Sequence, residues 1–344
     1  MLRRHTRCLT SDLEGIRTAA EILRADGLVA LPTETVYGLG GNALSASTVR
    51  AIFEAKGRPA DDPVIVHLAS ASALERVAVA NQVAAKLADA FWPGPLTLVL
   101  PKRPEVPPEV TAGLDTVGVR VPSHPVAAAI LRACDLPIAA PSANLFGRPS
   151  PTTAQHVLDD LDGRIDAVVD GGPATVGVES TIVDVCSSPA RLLRPGGVAA
   201  EAIEAVLGER LALPEKRTGA QLAPGMLPVH YAPRTPLSLV VGSHARDRLR
   251  LEVASALDRG ERVGVLALSD DLTYLPGGVR VEVVGGWSEP RVSAARLFDA
   301  LRALDAAGLD VLFARDLADP ELGLGRALAD RLRRASRQVL DTRD

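Results

Sequence analysis

Lysine is scarce: the 344 residues hold four lysines, although lysine and arginine together number 38. Arginine carries nearly all the positive charge. Against 42 acidic residues the formal net charge is −4, which excludes a generally basic coat for nucleic acid and leaves room for a local basic cleft. Cysteine is scarce as well. Cys8, Cys134 and Cys186 lie far apart with no Cys-x-x-Cys, which excludes a disulfide framework and a cysteine zinc site and fits a reducing cytoplasm. No apolar run approaches membrane-spanning length, and residues 1–5 (MLRRH) are not followed by the apolar core of a signal peptide. Several catalytic signatures are missing too. There is no Gly-x-x-x-x-Gly-Lys-Ser/Thr phosphate loop, no His-Glu-x-x-His, no Gly-x-Ser-x-Gly elbow and no close acidic pair of the glycosidase kind. A chain with cations and hydroxyls but no evident nucleophile of its own suits catalysis by positioning and charge stabilisation, the usual mode for transfer at phosphorus.

What is present is a soluble, globular pattern, 47% apolar and 23% charged, long enough for two domains. Its most distinctive stretch is residues 56–63 (KGRPADDP), running into the apolar residues 64–66 and ending on His67. Lys56 and Arg58 flank one glycine. A point charge beside a planar fork suits a polyphosphate or carboxylate. The same residues also read as a helix end, with Lys56 in the last turn, Gly57 as left-handed cap and Pro59 as the stop.

Leu13, Ile16, Ala20 and Leu23 recur at helical spacing between Ser11 or Asp12 and Gly27, and residues 28–31 form a short buried strand. Residues 32–42 read as a loop rich in hydroxyls and glycine. Gly38, Gly40 and Ala43 only loosely fit the dinucleotide fingerprint, because they lie several residues beyond the strand end. A loop in which Thr33 and Thr35 face a small polar ligand fits better. A helix over 45–55 turns Val49, Ile52 and Phe53 inward, and strands follow at 96–100 and 117–121. In the latter, valines alternate with Gly118 and Arg120, so Arg120 needs an anionic partner, either a ligand or a surface aspartate. Strands at 137–140, 167–169 and 182–185 likewise end in loops carrying Ser142, Ser150, Ser180 and Arg194. The loops read as lining one concave face.

These blocks, taken in order, resemble the YrdC-like family: 32–40 (PTETVYGLG), 56–67 (KGRPADDPVIVH), 92–97 (WPGPLT), 111–122, 139–144 (AAPSAN), 177–182 (GVESTI) and 192–196 (LLRPG). The remainder, with His230 and Tyr231 in 230–233 (HYAP), resembles the two-domain branch. The resemblance implies a twisted mixed α/β sheet with an open concave face over residues 1–208. It further implies a Pro/Gly-rich linker at 209–236 that closes over the site, and a small Rossmann-like α/β domain at 237–344. The implied reaction joins L-threonine, bicarbonate or CO2 and ATP into L-threonylcarbamoyladenylate and pyrophosphate, which a partner transferase uses on tRNA. By position, Thr35, His67, Arg120, Ser180 and the main chain at Ala140 would bind threonine. Arg58, Asp62, Thr116, Ser142, Ser150 and Arg194 would bind ATP, with Lys56 beside the phosphates and Lys56 and Arg58 weighing most on turnover. His230 and Tyr231 would belong to the lid. Magnesium is expected with ATP rather than from a ligand motif.

Three departures stand out. Asp62 replaces a usual asparagine, residues 227–229 (LPV) replace basic and aromatic ones, and Asp330-Arg331 replaces Asn-Arg. The alternative function is a double-stranded RNA-binding or ribosome-maturation factor using the same basic cleft, with a weak tRNA contact. A carbamoyl-adenylate enzyme of hydrogenase maturation would need zinc-finger and acylphosphatase segments that are absent. Arg326, Arg331, Arg333, Arg334 and Arg337 in a helix over 321–338 read as a solvated face.

Overall fold

Strand alternation decides which side chains reach the site. Val66, Leu98, Val119 and Val183 point into one core, whereas Ile65, Val99 and Ile182 point to the opposite face with Leu193. With a period of two, His67 shares a face with Ile65, Thr97 with Val99, Ser180 with Ile182, and Thr116 with Gly118 and Arg120. The computed structural model describes residues 5–213, 222–225 and 230–342.

The chain divides into two units, the first comprising Met1–Phe146, Ser150–Thr175 and Glu179–Leu227. It holds a ten-stranded mixed sheet. The strand order is Arg7–Leu9, Ala167–Val169, Val29–Leu31, Gly38–Asn42, Ile138–Ala139, Ile65–His67, Thr116–Arg120, Leu96–Pro101, Thr181–Asp184 and Arg191–Arg194. Ile65–His67 runs parallel to Thr116–Arg120 with His67 opposite Arg120. Leu96–Pro101 runs parallel to Thr181–Asp184.

The expected helix ends hold. Asp12 caps Leu13–Arg24 by accepting from the Gly15 amide, although Leu13 is exposed rather than inward. Ser45 caps Ala46–Lys56, which stops at Gly57 with φ of 63°. One reading fails. Gly38–Asn42 is not loop but a strand, antiparallel to Val29–Leu31. Its glycines are imposed by the neighbours: a Cβ on Gly41 would lie 2.6 Å from Thr48 Cγ2 and 3.1 Å from Ile52 Cδ1.

The second unit comprises Gly147–Pro149, Val176–Val178 and Pro228–Asp344. Its five-stranded sheet has the order Arg280–Val283, Val263–Ala267, Val311–Arg315, Leu237–Val241 and Gln338–Asp341, all pairings parallel. The final helix covers Gly323–Ala335 and then gives way to the Gln338–Asp341 strand, three residues earlier than the sequence implies. Arg331, expected in solvent, is 1% exposed, with its guanidinium 5.1 Å from the Tyr231 ring centroid and an ion pair to Asp330. No helix among the described residues is long and apolar enough to cross a membrane.

Candidate active site

The bend after Val29–Leu31 buries Thr33, Glu34 and Thr35 together. Thr33 donates its hydroxyl to the Val36 carbonyl at 2.6 Å. In the 2.8 Å contact between the two threonine hydroxyls, Thr35 is therefore the donor. Arg120 Nη1 donates to Thr35 Oγ1 at 2.8 Å, and Arg120 Nε to the Gly94 carbonyl at 3.2 Å. The anion that Arg120 requires is Glu34, whose Oε1 lies 2.6 Å from Arg120 Nη2, and both side chains are buried. Sequence reasoning missed Glu34; its place between two assigned threonines was the available signal.

His67 completes this end of the site. Its Nδ1 lies 3.3 Å from the Ile65 carbonyl, and burial, aided by the Arg120 charge, pushes its pKa down to about 3. The ring is neutral at ordinary pH. The Ala140 amide is engaged with the Ile65 carbonyl at 2.9 Å, leaving the carbonyl as the group Ala140 can offer a ligand.

Ser180 joins this region to the cations. Its Oγ lies 2.8 Å from Thr97 Oγ1 and accepts from Arg194 Nη2 at 3.2 Å, while its carbonyl accepts from Arg194 Nε and Nη2 at 3.2 and 3.0 Å. Thr97 is a second residue that sequence reasoning passed over. Ser150 donates to Glu179 Oε1 at 2.5 Å, and the buried Thr116 hydroxyl has no hydrogen-bond partner among the described residues.

Arg58 pairs with Asp62 at 2.9 Å and donates to the Asp62 and Pro63 carbonyls at 3.1 and 2.8 Å. Asp62 thus brings its negative charge already matched to a cation. Burial raises its carboxyl above the usual range despite the opposing pull of Arg58. Lys56 is turned inward: Nζ donates to the carbonyls of Ser142 and, at 2.6 Å, Asn144. Burial, with repulsion from Arg58, pushes the Lys56 ammonium well below its ordinary pKa. Lys56 therefore braces the loop that carries Ser142.

The linker returns to this face. Ala223 packs with Ile65, Val99, Ile182 and Leu193, and the Pro224 carbonyl accepts from Arg194 Nη1 at 3.1 Å. Beneath residues 222–224 the enclosed space is about 10 Å³, room for one water at most. Residues 227–229, the second departure, lie outside the described residues. His230 and Tyr231 belong to the second unit, where both are buried. Tyr231 packs 5.6 Å from Phe298, and the His230 amide donates to the Arg334 carbonyl at 3.0 Å.

Two family models match in succession. One, Sua5/YciO/YrdC, described as telomere recombination, covers residues 21–196, and the threonylcarbamoyl-AMP synthase C-terminal domain covers residues 198–337. A threonylcarbamoyl-AMP synthase of Pyrococcus abyssi is 46% identical over 331 residues, spanning 93% of this chain and 94% of the relative. One of Bacillus subtilis is 45% identical over 327 residues, spanning 93% and 92%. The structure of P. abyssi Sua5 complexed with L-threonine matches with a TM-score of 0.90 at 42% identity, over 98% of this chain and 99% of that one. With both parts matched in order and along nearly its whole length, this chain belongs to the Sua5/YciO/YrdC family, in the branch that carries the threonylcarbamoyl-AMP synthase C-terminal domain.

Proposed function

We propose that this protein makes L-threonylcarbamoyl-AMP from L-threonine, bicarbonate and ATP, releasing pyrophosphate. The observation that carries the reading is the direct join at Ser180 between a hydroxyl assigned to threonine and the Arg194 guanidinium assigned to ATP. Two anionic substrates can be held side by side only where cations and fixed donors offset their repulsion. Arg120, Thr35, His67, Ser180 and the Ala140 carbonyl receive threonine. Arg58, Asp62, Thr116, Ser142, Ser150 and Arg194 receive ATP, with Lys56 fixing the Ser142 loop beside the phosphates. The carbamate oxygen attacks the α-phosphorus, and the bond to the pyrophosphate oxygen breaks. Residues 222–224, seated on the face, must give way for nucleotide and can then cover it, keeping water from the mixed anhydride.

The ATP reading brings magnesium with the nucleotide, held chiefly by the phosphates. Bound there, it would neutralise charge on the departing pyrophosphate, and Asp62 is the one carboxylate among the residues read as ATP-binding. The product is consumed by a transferase that modifies tRNA in a reducing cytoplasm. Incubation with ATP, magnesium, L-threonine and ¹³C-bicarbonate tests the reading by mass spectrometry. The expected product is threonylcarbamoyl-AMP carrying one heavy carbon; its absence, with salt-sensitive RNA binding instead, would favour the RNA-factor alternative.

A further inference from the structure

We propose that Glu34 holds the α-ammonium of the bound amino acid and takes one proton from it, serving as the base that frees the nitrogen for carbamate formation. The proposal rests on the threonine reading above and adds a catalytic residue to it.

The geometry is that of an incomplete pair. Glu34 is 5% exposed, and its Oε1 lies 2.6 Å from Arg120 Nη2, close enough for an ion pair but off the hydrogen-bonding direction. Oε2 is fully buried and makes no hydrogen bond of good geometry among the described residues, although the amides of Glu34 itself and of Ser123 lie close enough to favour its charge. A buried carboxylate oxygen left in this way is costly unless a donor arrives. The neighbouring hydroxyls cannot serve, because Thr33 donates to the Val36 carbonyl and Thr35 to Thr33. An amino acid zwitterion carries the complement of the Arg120–Glu34 pair: a carboxylate for the guanidinium and an ammonium for the carboxylate. Its binding replaces one internal pair with two.

The same exchange prepares the proton transfer. In the free protein burial works to raise the Glu34 carboxyl, but the Arg120 guanidinium outweighs it and holds the group below its usual range. Once the substrate carboxylate shares Arg120, Glu34 loses part of the field that lowers it, and burial then favours the neutral pair, carboxylic acid and amine, over the charged one. His67 is a poorer candidate on geometry: its Nδ1 already faces the Ile65 carbonyl at 3.3 Å, and burial, the main cause, holds its imidazole below the usual range. The ammonium gives one proton to the Glu34 carboxylate. The amine lone pair then forms the N–C bond to bicarbonate, the C–OH bond breaks, and the second nitrogen proton departs with that hydroxyl as water. The carbamate remains, and Glu34 returns its proton to solvent after product release.

The test compares wild type, Glu34→Gln and Glu34→Asp by calorimetric binding of L-threonine and of 2,3-dihydroxybutanoate, which keeps the carboxylate and replaces the amine with a hydroxyl. ATP affinity serves as the control for an intact fold. Wild type should prefer threonine by about 30-fold or more. Glu34→Gln should bring the two ligands within about threefold, keep ATP affinity and slow threonine-dependent pyrophosphate release by about 10²–10⁴. Glu34→Asp, which keeps the charge, should retain the preference. An unchanged preference in Glu34→Gln, or a parallel loss of both ligands, would make Glu34 only a counter-ion of Arg120 and overturn the proposal. A wild-type protein that binds no threonine would overturn the parent reading and this one with it.

Discussion

At the scale of single residues, the site is built from charges that each have an internal partner before any substrate arrives. Arg120 rests on Glu34, Arg58 on Asp62, and Lys56 on two carbonyls. His67 is the exception, a buried base held neutral, and this has a measurable consequence. Its folded pKa of about 3 lies below the ordinary value of 6.5, so the unfolded chain takes up the proton first as pH falls. The stability it confers is fully present above about pH 6.5 and is lost progressively as pH drops toward 3. His67→Gln, which cannot ionise, should therefore flatten the acid side of the Tm–pH profile, with a difference of at most about 4 kcal/mol near pH 3. Parallel acid limbs in the two proteins would contradict this. The sequence made Arg120 legible, because an arginine alternating with valines demands an anion. Glu34 was not, because one carboxylate between threonines looks like any surface acid until burial is known. Arg331 misled in the opposite direction: four other arginines nearby suggest solvent, and only its stacking over Tyr231 reveals the burial.

At the scale of elements, hydrophobic periodicity located the strands with branched residues and failed where packing rather than propensity makes the strand. Gly38–Asn42 contains no β-branched residue, yet it pairs with Val29–Leu31 and, through Gly41 and Asn42, with Ile138–Ala139. Glycine is demanded there by the Thr48, Ile52 and Leu28 side chains rather than by a turn. Gly41→Ala should thus destabilise the protein by about 1–3 kcal/mol in urea unfolding, the usual cost of overpacking a filled core, whereas a neutral effect would show that the neighbours can yield. The strands Arg280–Val283 and Gln338–Asp341 escaped notice for a different reason. Both are sheet edges, half-exposed and charged, and so lack an apolar signature.

At the scale of the whole molecule, the proline- and glycine-rich residues 209–236 contain the change of unit, the first ending at Leu227 and the second resuming at Pro228. What they could not reveal is that Gly147–Pro149 and Val176–Val178 belong with the second unit, since those associations join residues far apart in sequence, such as Gly147 and Ala232. Gly177 illustrates the constraint: at φ of 77°, its ideal Cβ would lie 2.2 Å from the Ala294 carbonyl oxygen. The blocks 56–67, 111–122, 177–182 and 192–196, by contrast, supply His67, Arg120, Ser180 and Arg194 to strands or strand ends of the one ten-stranded sheet. If this site activates threonine, pyrophosphate release from ATP with magnesium and bicarbonate, with and without L-threonine, must separate wild type from Arg120→Ala. The predicted result is release that depends strictly on threonine and falls by at least about 10²-fold in the variant. Release that ignores threonine, or that survives the loss of Arg120, would contradict it.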